Sequence, residues 1–309
     1  MTYSRRDFLG HALSTAAFAS LPLWLPMSGA WAASSEPIKG TPLSDDLTLF
    51  TGAGANVVAA RGPEGLLLVD GGLEARSSAL LKTVFKDMSA RRVHTLINTH
   101  WHPEQTGSNL RLGKDGAVII AHERTKLWLS RKIDVNWMDS SYGPLPEKAR
   151  PTQTTYTDGK LAFGNEQIDY AYLQQAHTDG DLYVFFRKAN VLVAGGALTS
   201  DRWPLIDWQT GGWMGGLVNA LTKLDGVVDD ATRIVPANGP ILTRADLRKQ
   251  TEMYKVIYDR LVKSLRSGLG PQEVLAAAPT SEFNPQWGDP AAFVDRSFRG
   301  LWPHFAPDA

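Results

Sequence analysis

The spacing of apolar and polar positions changes several times along this chain, and each change marks a structural element. "ANVVAARGPEGLLLVDGG" sets two short apolar runs around Gly62-Pro63-Glu64-Gly65, which predicts a β-hairpin ending at Asp70-Gly71-Gly72. In "EARSSALLKTVFKDMS", Leu80, Leu81, Val84, Phe85 and Met88 recur three and four apart, the spacing of a helix with one apolar face. "VHTLINTH" reads as a buried strand ending at His100, and "GAVIIAHERTKLWLS" as a strand running into a helix. "DVNWMDSSYGPLPEKARP" has no period and reads as a long loop. From Thr154 short strands return: "TTYTDG", "KLAFG", "QIDYAYLQ", "DLYVFFR" and "NVLVAGG". A second loop, "TSDRWPLIDWQTGGWMGG", precedes helices at about Gly215 to Leu224 and Thr243 to Ser267. Thr243 with Asp246 makes a capping box for the latter and Gly268 closes it. "PQEVLAAAP" and "DPAAFVDRSFRGLW" add two short C-terminal helices. This order of elements predicts an α/β fold of sheets packed face to face, with helices outside.

Composition narrows the chemistry. A hydrophobic content of 43% against 21% charged residues excludes a disordered chain. Basic and acidic residues balance at 32 each, so the charge points to no nucleic-acid or anionic membrane partner. The chain has no cysteine, which removes disulfides, thiol nucleophiles, Cys-ligated zinc and iron–sulfur clusters. Any metal must therefore be held by His, Asp, Glu, Asn or Gln.

The first residues read as an export signal: Arg5 and Arg6, an apolar span from Phe8 to about Met27, and the small-residue site Ala30-Trp31-Ala32. "SRRDFLG" resembles the twin-arginine signal, which carries folded proteins across the bacterial inner membrane. The expected organisation is a signal over residues 1–32, with no stable membrane anchor, and a periplasmic domain over residues 33–309.

The candidate chemistry centres on "NTHWHPEQTGSN". His100 and His102 stand at i and i+2 after a strand, so in extended geometry both side chains leave one face and reach one ion. Two surface histidines in a turn would give the same letters. His177, in "LQQAHTDGDLYVFF", also follows a strand, and strand-end loops are where a scaffold presents functional groups. A set of three histidines can hold a zinc hydroxide when a fourth position stays open. His122 is read as a capping or packing histidine; Trp137 with Tyr142, and Trp203 with Trp208, either wall a pocket or pack the loops onto the core.

These residues, in order, resemble the metallo-β-lactamase superfamily. Asp70 in "LLLVDGG" matches the family's Asp after an apolar strand, His100 and His102 in "HWHPEQTGSN" match its His-x-His-x-Asp-His motif, and His177 matches its later strand-end His. The resemblance implies a four-layer αβ/βα sandwich whose first metal site is complete in His100, His102 and His177. The second site is not matched: Glu104-Gln105 replace the family's Asp-His, Gly196 in "VLVAGGALT" replaces its bridging Asp, and Asn238 in "VPANGP" replaces its last His. A Gly cannot ligate, and Gln105 and Asn238 offer only neutral amide oxygens. One divalent ion, Zn2+ by the ligand set, is the expected cofactor.

Glu104 has three open readings: a distant ligand, a general base, or a residue that only starts a helix after Pro103. Asp70 is expected to orient the histidine loop from behind the ligands; Asp181 either supports His177 in the same way or is a turn carboxylate. Two functions follow. One is a mononuclear hydrolase of a small ester, thioester, lactone or amide; the other is a periplasmic binding or accessory protein on the same fold.

Overall fold

In the computed structural model residues 36–200 and 202–305 are described, and the export-signal reading of residues 1–32 lies outside them. The chain runs β1 (Lys39–Pro42), β2 (Leu47–Thr51), β3 (Val57–Gly62), β4 (Gly65–Val69), α1 (Glu74–Asp87), β5 (Val93–Ile97), α2 (Pro103–Thr106), α3 (Asn109–Lys114), β6 (Val118–His122) and α4 (Glu123–Leu129). It continues through β7 (Ile133–Val135), β8 (Ser140–Tyr142), β9 (Gln153–Thr155), β10 (Asp158–Phe163), β11 (Glu166–Leu173), β12 (Asp181–Phe186), β13 (Val191–Gly195), α5 (Met214–Asp225), β14 (Arg233–Pro236) and α6 (Arg244–Arg266). Four short helices close it: α7 (Pro271–Ala276), α8 (Asn284–Trp287), α9 (Ala291–Arg299) and α10 (Trp302–Phe305).

Two sheets form, ordered β1-β2-β3-β4-β5-β6-β9 and β10-β11-β12-β13-β14. The central strands are apolar on both faces, and alternate residues serve different cores. Leu66 and Leu68 meet Leu80, Leu81 and Val84 of α1, while Leu67 and Val69 point at the other sheet, toward Phe186 and Val193. Val193 faces that same inter-sheet core, and its neighbours Leu192 and Ala194 pack under α5 and α6 with Leu217, Leu221 and Tyr254. The result is four layers, helix, sheet, sheet, helix, as the resemblance implied.

β4, β5, β6 and β9 run parallel, as do β13 and β14, and β11 lies antiparallel to β12. The turns after β4, β5, β11 and β13 therefore gather at one edge of the sandwich, which is where the candidate residues stand. The aperiodic segment after α4, read as a loop, instead forms the β7–β8 hairpin. Its strands are three residues long, too short to show a period, and it owes its order to a small cluster of Trp101, Leu129, Ile133 and Val135, ringed by Trp128, Trp137 and Tyr142. Trp203 packs in the core against Trp287 and Phe293, so of the two readings of that loop aromatic the packing one holds.

Candidate metal centre

β5 ends at Ile97, three residues before His100, and not at His100 as the apolar run suggested. Asp70 is the reason. It adopts a left-handed backbone (φ 64°) just past β4, and its carboxylate accepts the Thr99 amide and the Thr99 hydroxyl, each at 2.8 Å. That capture turns the chain out of extended geometry. The turn is locked further on by Asn98, whose side-chain amide donates to the Gln105 carbonyl (3.1 Å) and to the side chain of Asn109. His100 and His102 thus converge through a turn and not through the alternation of a strand.

Each imidazole is fixed by a partner on the nitrogen that faces away from the others. The Thr99 hydroxyl, donating to Asp70, accepts from His100 Nδ1 at 3.0 Å, which leaves His100 Nε2 unprotonated. His102 Nε2 donates to Asp207 Oδ2 at 3.2 Å, which leaves Nδ1. His177 Nδ1 donates to the Leu205 carbonyl, which leaves Nε2. His177 Nε2 and His102 Nδ1 then face each other at 3.1 Å, and one ligand atom from each of the three rings lies within 4.8 Å of the others. Two imidazole lone pairs that close repel each other unless a cation, a proton or a metal ion, sits between them. Three neutral nitrogens, each backed by an oxygen acceptor, are the donor set of a three-histidine zinc site.

The electrostatics keep two of the three rings neutral and set His102 apart. Burial pushes His100 well below its ordinary pKa, with the charge of its neighbours acting the same way. Burial and His102 push His177 down to about 3, so both rings stay neutral, the form that ligates. On His102 burial acts downward too, but the hydrogen bonds and charges of the Asp207 and Glu104 carboxylates outweigh it and raise the ring to about 9. Asp207 is held below the ordinary carboxylate range: burial opposes this, but His102 and the Thr210 hydroxyl prevail.

The remaining candidates fall in different places. Glu104, 2% exposed on α2, sets Oε1 3.7 Å from His102 Nδ1, and its Oε2 is buried without a hydrogen-bond partner. It therefore starts a helix and also stands beside the ligand cluster. Asp181 accepts the amides of His177 and Thr178, both at 2.7 Å, so it supports the backbone of the His177 turn and not the ring; burial raises its carboxyl to about 7. Gln105 works through its carbonyl, which takes Gly71 N at 2.7 Å, while its buried Oε1 has no partner. Asn238 lends its carbonyl to Ser200 and makes no side-chain hydrogen bond to the histidines.

Gly196 explains why a bridging Asp has no room. A Cβ built there would lie 2.2 Å from Cδ2 of His177, so the imidazole occupies the space a side chain would need. His122 accepts the Arg124 amide and caps α4, as expected. Two residues essential to the geometry escape a reading of the letters. Asp207 lies in an aperiodic loop 105 residues from the His102 it holds, and Thr99 acts only through the turn that Asp70 imposes.

The centre is covered. His100, His102 and His177 are 0–5% exposed, and the rings of Trp101 and Trp137 each lie 4.6 Å from that of His102. Tyr142 ties the β7–β8 hairpin down through a 2.8 Å bond to the Thr106 hydroxyl.

The comparisons with known proteins match this architecture. The metallo-beta-lactamase from Pontibacter korlensis superposes with a TM-score of 0.58 at 18% identity, covering 71% of this chain and 99% of that one. The DIM-1 metallo-beta-lactamase gives 0.57 at 15%, covering 71% and 98%, and IND-7 gives 0.56 at 19%, covering 71% and 97%. No curated protein matches the sequence significantly. The sequence profile of the metallo-beta-lactamase superfamily matches residues 50–253, which span the Asp70, His100, His102 and His177 turns, strands β3 to β9 of the first sheet and all of the second. With two thirds of its length matched to that profile and the fold shared, the chain belongs to the metallo-beta-lactamase superfamily.

Proposed function

We propose that this protein is an exported, mononuclear metal-dependent hydrolase of an ester, thioester, lactone or amide, with His100, His102 and His177 holding one Zn2+. The observation that carries the reading is the set of three ring nitrogens turned toward one point while every opposite nitrogen is bound to an oxygen. A zinc ion there supplies Lewis acidity, polarising a carbonyl oxygen and making a water acidic enough to ionise near neutral pH. Asp207 keeps His102 in the tautomer that offers Nδ1, and Asp70 does the same for His100 through Thr99. Glu104 is the carboxylate placed to accept a proton during attack and to return it to the leaving group, since Oε1 is 3.7 Å from His102 Nδ1 and Oε2 has no other partner. Trp101 and Trp137 pack on His102 and shield the cluster from bulk solvent, which strengthens each charge interaction inside.

The solved proteins of similar fold are metallo-beta-lactamases, and β-lactams are one amide class among those open to the site. Among the described residues no helix is long and apolar enough to cross a membrane. The periplasmic location rests on the twin-arginine pattern at residues 1–32.

One observation favours a second reading, a binding or accessory protein: the imidazoles are nearly inaccessible under Trp137. Two variants separate the readings. His100→Ala is expected to lose the metal in either case. Glu104→Gln is expected to keep the metal and abolish turnover in a hydrolase, while ligand binding by an accessory protein would survive it. Elemental analysis of the purified chain is expected to give about one zinc per molecule, lost in His177→Ala. A chain that takes up no zinc at micromolar concentration would end the hydrolase reading.

A further inference from the structure

Among the described residues, nine buried polar side-chain atoms have no hydrogen-bond partner, and they fall in two regions. Those of Glu104, Gln105, Trp137 and Asp207 belong to the surroundings of His102, where a ligand from outside the chain is expected. The other five lie in the C-terminal helical segment: Gln250 and Tyr254 on α6, Thr280 before α8, Asn284 on α8 and Ser297 on α9. Such an atom is ordinarily met by a water or a ligand, so the second region calls for a partner as the first does.

A pocket of about 250 Å³ between α6 and α8 is lined by one of the five, Gln250. Leu242, Met253 and Trp287, each less than 10% exposed, and the half-buried Phe283 give it an apolar, partly aromatic wall. Lys249 and Gln286 of the lining are exposed and face solvent. Gln250 is 6% exposed, and its Nε2 donates to the Thr199 carbonyl at 3.0 Å. Since a carbonyl can only accept, the amide oxygen is the atom left over. That Oε1 is the one buried polar atom of the described lining without a partner.

Water alone would be the plain account of the pocket. A buried water ordinarily makes about three hydrogen bonds, and this lining has few to give. The Ser200 hydroxyl donates to the Asn238 and Pro240 carbonyls, and the Asp246 carboxylate caps α6. The lining suits instead an occupant that is apolar over most of its surface and brings one N–H or O–H. Size narrows it further: an apolar cavity of about 150 Å³ takes one benzene ring, so about 250 Å³ suits two fused rings. None of the lining side chains bonds to or stacks on His100, His102 or His177. Phe283, Gln286 and Trp287 come from beyond residue 253, where the family profile ends.

We propose that the pocket between α6 and α8 binds a small aromatic molecule of two fused rings that donates one hydrogen bond to Gln250 Oε1, as an indole does. The site shares no residue with the histidine cluster and does not rest on the hydrolase reading.

The test is calorimetric titration of the full chain, zinc-loaded and metal-free, with indole and with 1-methylindole, which keeps both rings and lacks the N–H. Indole is expected to bind once per chain in both forms, about tenfold more tightly than 1-methylindole, the ratio that one buried hydrogen bond gives. Gln250→Leu is expected to erase that ratio by weakening indole alone. Met253→Trp, which fills the pocket, is expected to abolish binding of both ligands at unchanged zinc content. Should either variant fail to fold, the two ligands on the unaltered chain still decide. Equal affinity for them overturns the proposal, as does no binding at millimolar concentration, which would leave the pocket to water. So does a ratio that persists in Gln250→Leu. Binding that needs zinc, or that survives Met253→Trp in a folded chain, would place the indole elsewhere and also overturns it.

Discussion

At the scale of single residues, the histidine cluster depends on oxygens that lie behind the rings and not among their converging nitrogens. Asp207 and Thr99 decide which nitrogen of His102 and His100 is offered, and a wrong tautomer would present an N–H where a lone pair is needed. Asp207→Asn preserves shape but loses the charge, and is expected to weaken zinc about 10- to 100-fold, measured by competition with a chromogenic chelator. Unchanged affinity would mean that Leu205 and Thr99 suffice. Gly196→Ala tests crowding: a methyl 2.2 Å from His177 Cδ2 must displace the ring, so the variant should lose zinc and about 1–3 kcal/mol of stability, read from urea midpoints. His100, His102 and His177 were legible because ligand types in the turns that follow apolar strands are a local signal. Asp207 was not, since an acid in an aperiodic loop carries no letter-level mark of what it faces.

Elements followed their local signals where those signals were complete. α6 begins at the Thr243–Asp246 capping box and ends before Gly268, which has a positive φ. Thr243→Ala is expected to cost about 1 kcal/mol, seen in thermal unfolding. The same helix is tied to the segment after α7 by Arg260, which holds Glu282 at 2.6 Å and the Pro279 carbonyl. Arg260 keeps the exposed Glu282 carboxyl near 2, below its ordinary 4.5. Depressed in the folded state, it adds stability above pH 4.5 that is lost as pH falls toward 2. Arg260→Gln should flatten the acid limb of a pH–stability curve there, and added salt should do the same to the unaltered chain. The β7–β8 hairpin is the counter-example. Its two strands have no period of their own and exist because Trp101, Trp137 and Tyr142 stack between them and the histidine turn.

For the whole molecule, the notable feature is how far the C-terminal segment reaches into a fold whose family profile ends at residue 253. Phe293 and Phe298 of α9 lie in the same core as Leu217 and Tyr254. Phe298→Ala, at a fully buried position, is expected to cost about 3–5 kcal/mol; a cost near zero would show that α9 only rests on the surface. By itself the sequence determined the two-sheet architecture, because an apolar run without alternation has to be buried on both faces. It also determined the three imidazoles and put Glu104, Gln105, Gly196 and Asn238 where the resemblance leads one to expect second-site ligands, because ligation depends on residue type. Only the tertiary structure decided where β5 stops, which nitrogen each histidine presents, that His177 fills the space beside Gly196, and that Trp137 packs on His102. Those outcomes come from contacts between segments many residues apart, where burial and hydrogen-bond partners are set by the packing of both sheets and no local pattern records them.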